Sequence, residues 1–473
     1  MNHGITLRQQ GTALSIPSVA KSGIPFIVGT APSQSAKTPA NAAEPALCTS
    51  WDEAVSKLGY SDDWEKYSLC EAMYSHFKLY GMQPAIFCNM LDTTKMSEPK
   101  ESTMLPVADN RALLPLETLD DSALEVRETI GVGEPLQRGA DYEVFYSGEH
   151  LVVELLPEGT AYGARALAAS YRAATPQSVT ANVVAAGMEN VERCMTSTGL
   201  VPDLLLAPGH SGDPVVGAVM ATKADGINTV FRAKALIDIS TSAQGGAGTY
   251  TDAIALKAAN NFVDPNQILC WPKLRLGGYQ FHMSTQIAGL IAAVDSLNSG
   301  VPYESPSNKA FKANGMALEG GSEVNLSQAQ ANVLNASGIK TGLNFMGGWV
   351  AWGNYTACYP SNTDVKDIFV PVSRMFDWVG NTVVRTFWAR LDKPMTRRLI
   401  GNIEDTCNIW LNGLVGAGYL LGARVEVRGS DNPLTNLLAG IISVRIFIAP
   451  PVPAQEIEFT LEFDVKYLES ALA

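Results

Sequence analysis

Runs of apolar residues without polar alternation recur along the chain and leave few architectures open: Phe26-Ile27-Val28, Ala85-Ile86-Phe87-Cys88, Leu204-Leu205-Leu206, Ala235-Leu236-Ile237 and Ile268-Leu269-Cys270. A strand that is apolar on both faces can leave neither face in water, so helices must cover it twice, as in a doubly wound parallel sheet. The intervening segments have the helical period. Helices are predicted near 64–80, 183–197, 214–223 and 251–260, and a further one carries Ile287, Leu290, Ile291 and Val294 on one face. The fold class is therefore α/β.

The stretch 92–180 breaks this rhythm. Tyr142-Glu143-Val144-Phe145-Tyr146 and Leu151-Val152-Val153-Glu154-Leu155 flank the turn Ser147-Gly148-Glu149, a hairpin signal without a crossover helix. It reads as an inserted, sandwich-like β domain. Residues 300–350 are rich in Gly, Asn and Ser and read as long surface loops. The C-terminal part, α+β in character, holds a helix with the apolar stripe Met395, Leu399, Ile403, Cys407, Trp410, Leu414 and two closing strands. The predicted division is an N-terminal arm 1–23, a first body segment 24–91, the insertion 92–180, the main α/β domain 181–350, a C-terminal domain 351–453 and a terminal strand 454–473.

Charge narrows the partners. Lys and Arg number 34 against 47 Asp and Glu, a formal net charge of −13, with no dense basic run. Direct nucleic-acid binding is not expected, because duplex-binding surfaces are built from clustered Lys and Arg. No apolar run approaches the ~18 residues that span a bilayer, and residues 1–10 lack the pattern of a secretory leader. Seven cysteines, odd in number and without a C-x-x-C pair, read as buried thiols of a reducing compartment.

The motifs that suggest chemistry fail on inspection. Gly209-His210-Ser211-Gly212-Asp213 places an imidazole, a hydroxyl and a carboxylate after a strand, yet Asp213 stands where a nucleophile elbow requires Gly. A loop with Ser211 or Asp213 capping the next helix is the favoured reading, and a serine hydrolase using Ser211 and His210 is the alternative. Gly245-Gly246-Ala247-Gly248-Thr249 lacks the Lys of a phosphate loop, and the glycines 416–422 miss dinucleotide spacing. The five histidines stand apart from other ligand-type residues, so neither a metal nor a cofactor is expected.

The most regular pattern is mechanical. Residues 456–465 alternate without a break, with Ile457, Phe459, Leu461, Phe463 and Val465 on one face and Glu456, Glu458, Thr460, Glu462 and Asp464 on the other. Burying five such side chains yields about 8 to 15 kcal/mol, and ordering the backbone costs about 1 to 2 kcal/mol per residue. The terms are comparable, so the strand needs a partner sheet, in its own chain or in a neighbour.

Several strings together resemble the tail sheath proteins of contractile bacteriophage tails and related injection particles. They are Gly23-Ile24-Pro25-Phe26-Ile27-Val28-Gly29-Thr30-Ala31-Pro32, Ala140-Asp141-Tyr142, the run 287–295, Trp352-Gly353-Asn354-Tyr355-Thr356 and Gly418-Tyr419-Leu420-Leu421-Gly422, in family order along nearly the whole chain. Asn354-Tyr355-Thr356 departs from the Arg-Thr that many sheath proteins carry after Trp-Gly. The resemblance implies a subtilisin-like domain without its triad, no enzymatic activity, and subunits stacked as six-fold rings around an inner tube protein. Baseplate and tail terminator proteins are the other implied partners. It implies terminal arms that add strands to neighbouring sheets, here through Ile5 and Leu7 at the N-terminus and the 457–465 face at the C-terminus. Arg397, Arg398, Glu404 and Asp405, opposite the apolar stripe, are the candidate tube contact. The implied location is the virion tail, assembled in the host cytoplasm.

Overall fold

The computed structural model describes residues 17–467. The chain opens with β1 (Pro25–Gly29), β2 (Pro45–Cys48), α1 (Trp51–Leu58), α2 (Ser68–Met73) and β3 (Ala85–Asn89). An antiparallel six-stranded sheet follows: β4 (Ser97–Ala108), β5 (Arg111–Pro115), β6 (Glu125–Arg127), β7 (Tyr142–Ser147), β8 (His150–Leu155) and β9 (Ala166–Ala174), in spatial order β6-β9-β4-β5-β8-β7. It has its own core around Leu114, Val144, Leu151, Val153 and Leu167. The tip of its β7–β8 hairpin docks on the body, where Glu149 accepts from the Ser61 hydroxyl at 2.6 Å and the Asp62 amide at 2.9 Å.

The α/β alternation then resumes with α3 (Ala181–Met188), α4 (Cys194–Thr198), β10 (Leu204–Leu206), α5 (Pro214–Asp225), β11 (Lys234–Asp238), α6 (Tyr250–Ala259) and β12 (Gln267–Cys270). A small sheet of β13 (Lys273–Leu276), β14 (Tyr279–Phe281) and β15 (Gly315–Ala317) brackets α7 (Met283–Leu297). After it come α8 (Gln328–Ala336), β16 (Ile339–Asn344), β17 (Trp349–Trp352), α9 (Val365–Ile368), α10 (Val370–Phe387), α11 (Arg397–Gly416), β18 (Gly422–Glu426) and β19 (Arg445–Ala449).

The main sheet runs β17-β16-β12-β11-β10-β1-β3-β2, parallel except for an antiparallel strand at each edge. Helices cover both faces. Successive residues of a strand point to opposite sides: Val28 meets α3 at Gly187, where a Cβ would lie 2.8 Å from Val28 Cγ1, while Gly29 faces Leu69 of α2. Strand order reverses between β1 and β10, the switch point where open α/β sheets place ligand crevices.

Four sequence expectations need correction. Residues 300–350 are not long loops: they hold α8, opened by a Ser327/Gln330 capping box, and β16, a buried strand of the main sheet. Lys340, Thr341 and Gly342 hide that strand from an apolar-run search, since Lys340 is 1% exposed and its ammonium is satisfied by the Gly353 carbonyl. The helix expected to bury one face through Ile287, Leu290, Ile291 and Val294 is α7, and it is buried nearly all round. Its outer side meets Tyr80, whose ring would lie 2.5 Å from a Cβ at Gly289, so only glycine permits the approach. The helix expected over 64–80 starts at Ser68 and widens into a π-helical turn at Tyr74–Leu79. Met395 precedes α11, which Thr396 caps through the Leu399 amide.

That π-helical turn buries His76, 2% exposed, one ring nitrogen of which bonds the Pro84 carbonyl. Burial disfavours the imidazolium and pushes its pKa down to about 4. The unfolded chain protonates first, so this group contributes a loss of stability as pH falls from ~6.5 towards 4, at most about 1.4 kcal/mol per pH unit. Chemical denaturation between pH 7 and 4 should show a shallower decline for His76→Phe than for the parent chain; parallel declines would refute the assignment.

Candidate functional site

The switch-point crevice is where an enzyme on this sheet would work. The loop after β10 brings Gly209, in a left-handed conformation at φ 78°, then His210 and Ser211 into it. Ser211 is 1% exposed, and its hydroxyl is committed to Asp238: Oγ accepts from the Asp238 amide at 3.0 Å and lies 3.4 Å from Oδ2. Asp238 also accepts from the Ser284 amide at 2.9 Å and the Ser284 hydroxyl, and burial raises its pKa. His282 is paired elsewhere, its Nδ1 2.7 Å from Glu71 Oε2; burial opposes the charge, but the Glu71 carboxylate outweighs it and holds the imidazole above its ordinary value. His210 is pushed down by burial and by the neighbouring His282 charge. Asp213 caps α5 by accepting from the Val215 amide at 2.8 Å. The hydrolase reading therefore loses its nucleophile, because Ser211 lies buried on a carboxylate. Among the described residues no group of three or more His, Cys, Asp or Glu is placed to hold a metal, and no helix is long and apolar enough to cross a membrane.

The unusual surface lies at the C-terminal end. Beyond β19, residues 450–464 join no sheet or helix, and they run past a groove of about 870 Å³ beside Trp352, Asn354, Tyr355 and Tyr359, where Gln455 bonds the Tyr355 hydroxyl. Past Gln455 the alternating face stands in solvent: Ile457 is 71% exposed, Phe459 83%, Leu461 96% and Phe463 79%, with Val465 also exposed. So many large apolar side chains in water are not a resting state for a folded chain. Nearby, β18 and β19 pair only with each other, Arg424 opposite Phe447 and Val425 opposite Ile446. One face of this ribbon packs Val425, Ile446 and Ile448 with Cys407, Leu411 and Leu414 of α11. The outer edge of β18 is met in part by α11, whose Asn408 Oδ1 accepts from the Val425 amide at 3.0 Å, whereas β19 has no further strand beside it among the described residues, and isolated two-stranded ribbons are marginal.

Of the other sequence-derived candidates, Arg397, Arg398 and Asp405 are exposed on α11 and Glu404 is half-buried. Seven-residue spacing brings Arg397 and Glu404, and likewise Arg398 and Asp405, onto neighbouring columns of that helix. Ile5 and Leu7 lie outside the described residues.

Sequence reasoning missed what anchors both ends. Arg374 of α10 is 3% exposed and binds Asp295 of α7 at 2.6 and 3.0 Å and Asp203, ahead of β10, at 2.9 Å. Asp203 also accepts from the amides of Gly23 and Ile24 at 3.0 and 2.7 Å. The i, i+4 spacing of Arg374 with Trp378, in line with the apolar positions of α10, was the signal available.

Comparison places the fold, a doubly wound sheet with an inserted β domain, among contractile sheaths. The helical sheath of the anti-feeding prophage in its contracted state superposes with a TM-score of 0.59 over 98% of this chain and 99% of that one, at 15% identity. The homologues are tail sheath proteins. That of Burkholderia phage BcepMu is 25% identical over 98% of this chain and 97% of its own length. A putative prophage major tail sheath protein of Pseudomonas aeruginosa is 27% identical over 57% of this chain and 67% of its own. No protein-family model matches the chain. These homologues are structural proteins and not enzymes, and the sheath resemblance read from the sequence is theirs.

Removing Arg374 leaves Asp295 and Asp203 buried without a counter-charge. Arg374→Met should lower unfolding free energy by about 3 to 5 kcal/mol, measured by urea denaturation; a loss below about 1 kcal/mol would mean the cluster holds nothing together.

Proposed function

We propose that the chain is the structural subunit of a contractile tail sheath, polymerising as stacked six-fold rings around an inner tube and contracting to drive that tube through a host envelope. The observation that carries the reading is the exposed face of residues 457–465 beside a two-stranded ribbon whose β19 edge has no strand partner among the described residues. A strand with one apolar face and a two-stranded ribbon in need of a third strand are complementary defects, and an identical neighbour supplies both. In this reading Ile457, Phe459, Leu461, Phe463 and Val465 complete the β18–β19 ribbon of another subunit, and the N-terminal arm with Ile5 and Leu7 contributes a second strand.

Main-chain ladders hold whatever the rotation of the bodies they join, and the prolines at 450, 451 and 453, which lie against the body, stiffen the root from which the C-terminal arm departs. Contraction is then a repacking of bodies with the arms intact. The main domain is subtilisin-like in topology, within the division 1–23, 24–91, 92–180, 181–350, 351–453 and 454–473. Arg397, Arg398, Glu404 and Asp405 face the tube, baseplate and terminator proteins bound the array, and the particle is assembled in the host cytoplasm.

Electron microscopy of the purified chain should show hollow helical tubes. Deletion of residues 455–473 should leave a soluble, cooperatively unfolding body that forms none; tubes from the truncated chain would overturn strand exchange.

A further inference from the structure

Arg374, Trp378, Thr382 and Thr386 stand four residues apart on one stripe of α10, and the chain from Ser18 to Ile24 runs along that stripe in the opposite direction. Thr386 Oγ1 accepts from the Ser18 amide at 3.0 Å and Thr382 Oγ1 from the Ala20 amide at 3.0 Å, while Trp378 Nε1 donates to the Ala20 carbonyl at 2.8 Å. Two residues on, the Ser22 hydroxyl bonds the Gly300 carbonyl at 2.8 Å, and Gly23 and Ile24 sit on the Asp203 carboxylate that Arg374 holds. The two repeats match: two extended residues advance about 6.6 Å and four helical residues about 6 Å.

The bonds along this contact are unequal. At the outer end a backbone amide meets a neutral hydroxyl near solvent, and Thr386 gives its own proton to the Thr382 carbonyl at 2.7 Å, which leaves its oxygen as a plain acceptor. At the inner end two amides share a carboxylate paired with a buried guanidinium, a stronger, charge-assisted arrangement. At the inner end too, a Cβ at Gly23 would lie 2.7 Å from Ala292 Cα, so that turn is also wedged against α7.

We propose that residues 17–24 form a strap that peels from α10 under load, opening from Ser18 inward and stopping at the Asp203–Arg374 clamp. The N-terminal arm then has two reaches, differing by about 17 Å of extended chain, and Thr382 and Thr386 are positioning residues that set the shorter one. The functional meaning rests on the reading of residues 1–23 as an inter-subunit arm; the gradient of attachment does not.

Hydrogen exchange on the full, unassembled chain tests it. Thr382→Val with Thr386→Val keeps side-chain shape and removes both acceptors. Exchange at the Ser18 and Ala20 amides should quicken by about tenfold or more, with Gly23, Ile24 and the melting temperature unchanged, and the double serine variant should restore protection. Thr386→Val alone, at the more exposed position, should release Ser18 and leave Ala20 protected. Loss of protection at all four amides together, or at none, would overturn the peeling strap. Tube growth that survives deletion of residues 1–16 would instead refute the arm reading and leave the exchange result standing.

Discussion

A single buried cation ties together parts of the chain that are far apart in sequence. Arg374 lies between Asp295 on α7 and Asp203 ahead of β10, and Asp203 in turn fixes the backbone of Gly23 and Ile24 just before β1. Take the guanidinium away and the buried Asp295 and the largely buried Asp203 lose their counter-charge, which costs more than a salt bridge of this kind contributes when complete. The start of the body, its long buried helix α7 and the entry to its C-terminal part are therefore set by one another, and β1 enters the centre of the sheet at a defined place because of it.

How much of this was legible in the sequence depended on what each residue does for its neighbours. The strands at Leu204–Leu206 and Gln267–Cys270 announce themselves because both faces are packed and hydrophobicity is the whole signal. The strand Ile339–Asn344 is equally buried but carries Lys340, whose charge is met by a backbone carbonyl that only the fold supplies. The same reason hid the Arg374 cluster: charged residues read as surface until their partners, 79 and 171 positions away, are known. A local start signal fared better at Asp213, because a cap is made within three residues of itself, whereas the Thr249 cap of α6 went unread behind its glycine-rich string.

The loop 209–213 and the segment 456–465 show the two ways that a sequence pattern acquires meaning. Ser211 and His210 occupy the place on the sheet where chemistry would be expected, yet the hydroxyl is absorbed by Asp238 into a network that shapes the loop. The alternating strand has no such local sink. Its five apolar side chains find no counterpart among the described residues, and the tail sheath homologues give that vacancy a context in which copies of one chain meet.

All seven thiols, Cys48, Cys70, Cys88, Cys194, Cys270, Cys358 and Cys407, are buried, and burial pushes Cys48, Cys88 and Cys194 up to about 12 and Cys407 to about 11. Thiolate, the form that alkylating reagents attack, is nearly absent from them near neutrality. A cysteine engineered at an exposed position such as Leu461 would then be the one group on the molecule that maleimide dyes find, and the terminal segment could be followed by fluorescence without stripping the native sulfurs from the core.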